Sequence, residues 1–198
     1  MHVPMTAAAI VAGGRARRYG GRDKSRLVVD GRTIIVRQVE ALQPVAAEIV
    51  VVAPDAARFA DLPVRVVADR QPGLGAVGGI DAALHAVDCD RVIVLACDLP
   101  FVTTALLATL AERADGHDGA WVRTGQGVEP LVACYRRQAR EPLARYIAAG
   151  GRRARDLERW LDMAVLESPE LDRFGPPARL LANINTPADY ARIQYDSA

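Results

Sequence analysis

The sequence contains few cysteines, and they stand far apart. Cys89, Cys97 and Cys134 are the three cysteines in 198 residues, and no two of them form a CxxC pair. An odd number of dispersed thiols argues against a disulfide framework and against a structural zinc site. This cysteine usage fits a reducing compartment, so we expect a cytoplasmic protein.

Long apolar segments and an excess of charge are also lacking. The apolar run near the start, residues 7–12, is shorter than a signal-peptide core and is followed by basic residues. No segment approaches the length that spans a membrane, so no membrane partner is expected. Lys and Arg number 25 against 24 Asp and Glu, and a net charge of +1 gives no general attraction to nucleic acid. Any basic site has to be local.

The apolar residues that are present form short runs rather than long ones. A chain of 198 residues with 51% hydrophobic content is long enough for one good core, so we expect a single domain over residues 1–198. The runs are rich in Val, Ile and Leu, and amphipathic stretches separate them, which is typical of buried parallel strands joined by helices. The pattern predicts an α/β fold with one three-layer, doubly wound, mostly parallel sheet.

Individual elements follow from the same pattern. Strands are predicted where apolar runs are bounded by charged, Gly or Pro residues: 7–11, 48–53, 64–68, 91–97, 119–124, 131–135 and 180–184. Helical spacing of apolar residues predicts helices at 33–42 and 103–114, the second behind a capping threonine. The cap, first-turn proline and acidic residue at 186–189 predict a helix that runs to about residue 195. The least regular stretch is 152–177, for which we predict no defined element.

A glycine-punctuated loop with many cations follows the first predicted strand. It comprises residues 11–24, with four glycines, and residues 15–26 carry five arginines and one lysine against Asp23 alone. Glycines let backbone N–H groups approach phosphate oxygens, and a local charge of +5 suits a triphosphate. The alternative is a solvated surface loop with chance arginines, but the preceding strand and the glycines favour phosphate binding. It is not a Walker loop, since no Gly-Lys-Ser/Thr closes it.

In this loop the sequence resembles the molybdenum cofactor guanylyltransferases, whose signature is Ala-Gly-Gly, then Arg-x-Gly-Gly, then Asp-Lys. That family continues with an aspartate after the third strand, a Gly-Pro-Leu-x-Gly turn, Cys-Asp-x-Pro, a Pro-Leu strand and Asn-x-Asn-Thr-Pro. In the same order this sequence has Asp69, Gly75-Ala76-Val77-Gly78-Gly79, Cys97-Asp98-Leu99-Pro100, Glu129-Pro130-Leu131 and Asn183-Ile184-Asn185-Thr186-Pro187. The resemblance covers residues 7–195, and the order of the motifs makes it specific.

The resemblance implies a Rossmann-like nucleotidyltransferase fold, with a nucleotide-binding part at about 7–100 and an acceptor-binding part at about 101–195. It implies catalytic roles for Arg18, Lys24 and Asp98, and acceptor binding by Asn183 and Asn185. The nucleotide contacts that it implies are Val11, Ala12, Gly13, Gly14, Arg18, Lys24, Asp69, Gly78, Gly79 and Asp98.

The sequence departs from the family pattern at three places. Tyr19 stands where a methionine is usual, and Ala76 stands where the family has proline. Residues 52–54, Val-Ala-Pro, replace a strand end whose asparagine contacts the nucleotide in the family. No role is therefore transferred to Val52 or Ala53.

Asp98 is also indicated without the resemblance. It follows a buried strand, and Pro100 prevents a helix from starting at once, so its carboxylate should lie at the carboxyl edge of the sheet. Mg²⁺ prefers one or two carboxylates together with phosphate oxygens and water, which makes Asp98 the predicted metal ligand. An aspartate here could instead cap the next helix, but Thr103 is better placed for that. Asp69, at another strand end, is a nucleotide contact by resemblance and a plain turn residue otherwise.

Together these features predict transfer of GMP from GTP to molybdopterin carrying molybdenum, with Mg²⁺ as cofactor. The partners are then GTP and molybdopterin, with transient contact to proteins that deliver or receive the cofactor. Alternatives are another transferase of this fold, such as a molybdopterin cytidylyltransferase or a sugar-phosphate or metabolite-phosphate nucleotidyltransferase, and a non-catalytic nucleotide- or cofactor-binding protein. A dehydrogenase is disfavoured, because the GxGxxG at residues 73–78 does not follow the first predicted strand.

Overall fold

The structure, a computed structural model, describes residues 5–13 and 23–196. Within these ranges seven strands form one sheet and two short strands form a hairpin. In chain order the strands are β1 (Thr6–Val11), β2 (Val28–Val29), β3 (Arg32–Thr33), β4 (Glu48–Val52), β5 (Arg65–Val67), β6 (Arg91–Ala96), β7 (Gly119–Thr124), β8 (Gly127–Arg136) and β9 (Met163–Leu166). The helices are α1 (Ile34–Leu42), α2 (Ala76–Ala86), α3 (Thr104–Arg113), α4 (Arg140–Ala148), α5 (Pro177–Leu180) and α6 (Pro187–Asp196).

The sheet is mostly parallel, as predicted. Its strand order is β5-β4-β1-β6-β8-β7-β9, and β5, β4, β1 and β6 run parallel to one another. β8 is antiparallel to both of its neighbours, and β9 is parallel to β7 at the edge. The register aligns the ends of the four parallel strands, because Val11 pairs with both Val52 and Ala96, and Val52 pairs with Val67. The loops that leave these strands therefore meet at one edge.

Helices cover both faces of the sheet. On β1, Ala8 and Ile10 face a core that contains residues of α1 and α3, whereas Ala7 and Ala9 face a second core with residues of α2 and α4. Both sides of the strand are buried, which explains why it is continuously apolar instead of alternating. The predicted α/β fold with three layers is confirmed. In the described part of the chain no helix combines the length and the apolar character needed to cross a membrane.

The predicted helices are confirmed to within a few residues. The first is α1, and the second is α3, which begins behind Thr103, whose side chain accepts a hydrogen bond from the Leu106 backbone N–H at 3.3 Å. The third is α6. α1 and α3 were predictable from their apolar spacing, and α6 was predictable from the cap and the first-turn proline at its start.

The predicted strand at 180–184 is wrong. Pro177 is the first residue of the short helix α5, which ends at Leu180, and the chain then runs irregularly to α6. Leu180 is buried in the core below α1 and α3, but Ile184 is buried in a separate small cluster. The apolar residues of this segment are thus anchors for two different clusters, and not one face of a strand. The strand β9 lies instead in the stretch for which no element was predicted.

β8 begins four residues earlier than predicted, at Gly127, and contains Pro130. Its pairing with β7 jumps from Ala133 to Glu129, so the intervening residues leave that ladder. A proline has no N–H to donate, and strands accept it mainly at such irregularities. The irregularity turns residues 129–132 toward the edge where the site lies.

Candidate active site

A cavity of about 260 Å³ opens at the carboxyl ends of the parallel strands. It is lined by six of the residues that the sequence predicted, Val11, Ala12, Gly13, Lys24, Asp69 and Asp98. The remaining lining residues are Asp23, Arg58, Gly75, Ala76, Ala96, Cys97 and Leu131. Residues more than 80 positions apart in the sequence thus meet in one place. The predicted contacts Gly14 and Arg18 lie outside the described residues, so they stay predictions.

Lys24 begins a short 3₁₀ helix, Lys24–Arg26, which Asp23 holds in place. The Asp23 carboxylate accepts hydrogen bonds from the Ser25 backbone N–H at 3.0 Å and from the Ser25 hydroxyl at 2.6 Å. It also pairs with Arg58 at 2.8 Å. Burial by itself raises the pKa of Asp23, but the bonds from Ser25 and Arg58 outweigh it and lower that pKa below the ordinary value. Asp23 therefore stays ionised as an anchor for the turn that presents Lys24.

The Lys24 ammonium group lies between an amide and a carboxylate. Its Nζ donates to Oδ1 of Asn185 at 2.9 Å and stands 4.0 Å from Oδ2 of Asp98. Both charged side chains are 19% exposed. Lys24 is also the single lysine of the chain, in which all other cationic side chains apart from histidine are arginine. A compact ammonium group at this point suits a site that has to admit phosphate oxygens from several directions.

Asn185 reaches Lys24 because a helix cap fixes the segment before α6. The Asp189 carboxylate accepts from the backbone N–H groups of Asn185 at 3.1 Å and Thr186 at 2.8 Å, while the Asp189 N–H donates to the Thr186 hydroxyl at 3.2 Å. This reciprocal pair is a capping box. Next to it Ile184 is fully buried against Val29, Ile34 and Ile193. The two residues predicted to bind the acceptor therefore lie in different places. Asn185 contacts Lys24, and Asn183 lines a neighbouring cleft.

Asp98 follows β6 and projects into the cavity. The turn is held by hydrogen bonds from Cys97 N–H to the Val11 carbonyl and from Ile184 N–H to the Asp98 carbonyl, both at 3.1 Å. Burial raises the pKa of Asp98 above its ordinary value, and the positive charge of Lys24 opposes that shift only in part. A cation bound beside such a partly desolvated carboxylate would stabilise its charged form.

The donor set around Asp98 suits a hard cation that brings most of its own ligands. Among the described residues no group of three or more His, Cys, Asp or Glu side chains is arranged to hold a metal ion. A site with one or two carboxylates fits Mg²⁺, which takes its other ligands from substrate phosphates and water. It does not fit a closed structural zinc site.

Asp69 carries an unsatisfied atom in the same cavity. Its Oδ1 is buried and has no hydrogen-bond partner in the described part of the chain. Burial, and then the negative charge of Asp81, raise the pKa of Asp69. Oδ1 lies toward Gly78 of α2, where a Cβ would stand 3.5 Å from it, whereas Oδ2 lies toward Gly13 on the cavity wall. Oδ2 is therefore the oxygen that is placed to meet a ligand.

The two predicted nucleotide glycines of α2 serve close packing in this structure. A Cβ on Gly79 would come within 2.5 Å of Cγ1 of Val11, and one on Gly78 within 3.0 Å of Cβ of Leu74. The cavity wall includes Gly75 and Ala76, at the start of α2. Gly79 thus lets the helix approach β1 behind that wall, and Gly78 lets it approach the segment 69–74. Direct nucleotide contact by either of them stays a prediction.

Gly79→Ala is expected to lower the free energy of unfolding by about 1–3 kcal/mol, because the added methyl group overpacks a rigid contact with β1. Urea denaturation measures the change. Gly125→Ala is the matched control, since a Cβ at Gly125 meets nothing within 4 Å and should change stability by less than about 0.5 kcal/mol. Equal stability of the two variants would contradict the packing role of Gly79.

Arg58 is a second cation of the cavity and was not among the predicted site residues. It lies in the 3₁₀ helix Ala56–Phe59, which Asp55 caps directly after β4. Its Nε donates to Oδ2 of Asp23 at 3.0 Å. Pro54 and Asp55 after a buried strand were the available signal, since they place the next turn at the same sheet edge as Lys24.

A larger cleft of about 840 Å³ adjoins the cavity. The two share Asp98, together with Ala76, Ala96 and Leu131. Its lining contains apolar side chains such as Leu99 and Val132 as well as polar ones. Among the polar ones Arg155 donates to Oε1 of Glu129 at 3.0 Å and to the Gln126 carbonyl at 2.8 Å. Asp98 therefore stands at the junction of a small pocket and a cleft that is wide enough for a second substrate.

Asn185→Ala is expected to lower kcat by about 10- to 100-fold, because a hydrogen bond to a charged group holds the Lys24 ammonium in place. The KM for the acceptor should stay near its normal value. Asn183→Ala is the comparison variant, and it should raise the acceptor KM because Asn183 lines the larger cleft. Steady-state kinetics separate the two patterns. A raised acceptor KM with normal kcat in Asn185→Ala would instead favour direct acceptor binding.

Comparison with known proteins gives consistent matches. A family model described as "MobA-like NTP transferase domain" matches residues 8–165. The "Probable molybdenum cofactor guanylyltransferase" of Chloroflexus aggregans is 41% identical over 201 residues, covering 96% of this chain and 94% of that protein. A protein of the same name from Carboxydothermus hydrogenoformans is 31% identical over 186 residues, with 93% of each chain covered.

A solved structure is similar as well. It is the molybdopterin-guanine dinucleotide biosynthesis protein A from Archaeoglobus fulgidus, with a TM-score of 0.81 and 28% identity. The match covers 97% of this chain and 98% of that one. The likeness thus extends over both the small cavity and the larger cleft.

Proposed function

Since this chain belongs to the family of MobA-like NTP transferases, we propose that it transfers GMP from GTP to the terminal phosphate of molybdopterin that carries molybdenum. The products are the guanine dinucleotide cofactor and pyrophosphate. The observation that carries the proposal is the position of Asp98, which the small cavity and the larger cleft share. Lys24 stands 4.0 Å from this carboxylate, on the cavity side.

The small cavity is the proposed GTP site. Gly13 leaves space beside the end of β1, and Oδ2 of Asp69, on the Gly13 side, supplies an acceptor for a ribose hydroxyl or a base N–H. Lys24 contacts the β- and γ-phosphates, a role that we extend to Arg18 from the sequence pattern. The larger cleft, with Asn183 on its wall, receives molybdopterin.

Magnesium is the proposed metal, and Asp98 is the residue that would hold it. Bound there together with the triphosphate, it would supply neutralisation of charge at the α-phosphate. The side chains of this protein have to position the triphosphate and the acceptor phosphate, and they have to balance the rest of the negative charge.

The proposed reaction is an in-line displacement. An oxygen of the acceptor phosphate attacks the α-phosphorus of GTP, the bond from that phosphorus to the β-phosphate oxygen breaks, and pyrophosphate leaves with the electron pair. Lys24 stabilises the negative charge that grows on the leaving group. No general base is needed, because a phosphate monoester is already ionised at neutral pH.

Product analysis with GTP labelled at the α-phosphate tests the proposal. Label should appear in a molybdopterin dinucleotide, with an equal amount of pyrophosphate, and only when both substrates are present. If GTP binds but no pyrophosphate forms with molybdopterin, the protein is a nucleotide-binding protein and not a transferase. Transient contact with proteins that exchange the cofactor, and a cytoplasmic location, are further parts of the proposal.

A further inference from the structure

A buried amide on α1 holds the turn that carries Asp98. Gln38 is fully buried, and its Nε2 donates to the Ala96 carbonyl at 2.7 Å and to the Leu99 carbonyl at 3.1 Å. The two carbonyls bracket Cys97 and Asp98. Both N–H bonds of the side-chain amide are thus used on the backbone to either side of one carboxylate.

The turn depends on donors from outside itself. β6 ends at Ala96, so the residues after it leave the strand, and Pro100 has no N–H group with which to close a turn onto them. Besides Gln38, the Ile184 N–H donates to the Asp98 carbonyl at 3.1 Å, and Nε of Arg37 donates to the Pro100 carbonyl at 2.9 Å. Gln38 differs from these partners because it binds on both sides of Asp98 with a single rigid group.

Packing alone does not explain a glutamine at this position. Its Oε1 is buried and has no hydrogen-bond partner among the described residues. An aliphatic side chain of the same length would fill the space without leaving an unsatisfied acceptor. On α1 its buried neighbours Ile35, Val39 and Leu42 are aliphatic. Burying this amide is therefore unfavourable in itself. What the amide stabilises is one geometry of the turn.

We propose that Gln38 is a positioning residue for the metal site, acting through the backbone of residues 96–99 to fix the Asp98 carboxylate. This inference rests on the proposed metal role of Asp98. Mg²⁺ demands near-ideal octahedral geometry, and a site with few protein ligands depends strongly on where its carboxylate stands. Removing a residue that orients a metal ligand commonly lowers metal affinity or activity by about 10- to 100-fold.

The test is Gln38→Met, which keeps the side-chain length and removes both donors. Mn²⁺ replaces Mg²⁺ as the probe, and water-proton relaxation enhancement reports the Mn²⁺ that the protein holds in the presence of GTP. The apparent Kd for Mn²⁺ should rise by about tenfold. The Mg²⁺ concentration for half-maximal pyrophosphate release should rise in parallel. The unfolding temperature should fall as well, because the Ala96 and Leu99 carbonyls lose their donor, so a variant with lowered stability alone is needed for comparison.

Two control variants on or beside the same helix separate positioning from stability. Gln43→Met changes an exposed glutamine at the end of α1 and should leave metal binding and unfolding unchanged. Val39→Ala opens a cavity beside Gln38 without removing a hydrogen bond, so it should lower the unfolding temperature and leave the Kd for Mn²⁺ unchanged. If Gln38→Met binds Mn²⁺ as tightly as Gln43→Met does, Gln38 is a packing residue and the inference is overturned.

If Gln38→Met does not fold, Gln38→Asn serves instead, since its shorter amide cannot reach both carbonyls, and the same criterion applies. Asp98→Asn separates the two proposals. Weak Mn²⁺ binding by Asp98→Asn together with normal binding by Gln38→Met overturns this inference alone. Tight Mn²⁺ binding by the unmodified protein without GMP transfer overturns the proposed reaction alone.

Discussion

Lys24→Ala is expected to lower kcat/KM by about 10²–10³, with most of the loss in kcat. The ammonium group lies 4.0 Å from Asp98 and is held at 2.9 Å by Asn185, so it is fixed in place before the substrate arrives. Its attraction for the leaving pyrophosphate grows as charge develops there, and contacts of that kind raise kcat instead of tightening ground-state binding. Steady-state pyrophosphate release at saturating molybdopterin measures the effect.

The matched control is Arg32→Ala, which removes an exposed cation that pairs with Glu40 on the protein surface. It should leave kcat unchanged. Lys24→Arg should lose most of the activity although it keeps the charge, because the planar guanidinium does not fit where a compact ammonium group contacts an amide and a carboxylate. An unchanged kcat in Lys24→Ala would exclude Lys24 from the stabilisation of the leaving group.

Asp98→Asn is expected to lower kcat/KM by at least about 10² at fixed Mg²⁺ and to raise the Mg²⁺ concentration for half-maximal activity. The amide keeps the shape of the side chain and removes the charge that holds the ion. The unfolding temperature should not fall, because burial already disfavours the charged form of this side chain. A magnesium titration and thermal unfolding of the same preparation give the two results.

The pKa of Asp98 adds a pH dependence with a defined sign. Burial raises that pKa, and only the ionised carboxylate binds Mg²⁺, so the affinity for Mg²⁺ should fall as the pH drops through the raised pKa. The loss should begin at a higher pH than it would for an exposed aspartate, and Asp98→Asn should not show it. Asp88→Asn, at a carboxylate that is 92% exposed, is the control. If Asp98→Asn unfolds while the magnesium titration of its residual activity is normal, Asp98 is structural.

Much of the fold was predictable because local and global signals agree. Buried strands such as β1 and β6 are apolar on both faces, and α3 has both its apolar spacing and its cap in the sequence. A strand was wrongly predicted at 180–184, because the apolar residues of this segment belong to two separate clusters. A short apolar run does not show which cluster each side chain enters.

The position of Asp98 was predictable because a carboxylate follows a buried strand, and that of Lys24 because the glycine-rich loop leaves β1 at the same edge of the sheet. The contact between Asn185 and Lys24 was not, because it joins residues 161 positions apart through a capping box and a buried isoleucine. Gln38 appears in the sequence only as a polar interruption of the apolar face of α1. Its partners are backbone carbonyls, which carry no sequence signal.

The central claim is guanylyl transfer, and the most direct measurement is kcat/KM for GTP, CTP and ATP with molybdopterin as acceptor. Guanine presents N1–H and N2–H₂ donors together with an O6 acceptor, and a site that satisfies this whole edge leaves its own buried groups unpaired when it meets adenine or cytosine. One unpaired buried group costs ~1–3 kcal/mol, so GTP should be preferred by at least roughly tenfold to a hundredfold.

Gly13→Ala, measured in the same assay, ties the preference to one place in the structure. A Cβ on Gly13 would lie 3.7 Å from Oδ2 of Asp69, an ordinary contact, so the protein accommodates the methyl group while the cavity loses that space. GTP use should then fall more than CTP use. Strong preference of the unmodified protein for GTP is the predicted result. Equal turnover of GTP and CTP would contradict specific guanylyl transfer. The protein would then be a nucleotidyltransferase without a preference for guanine.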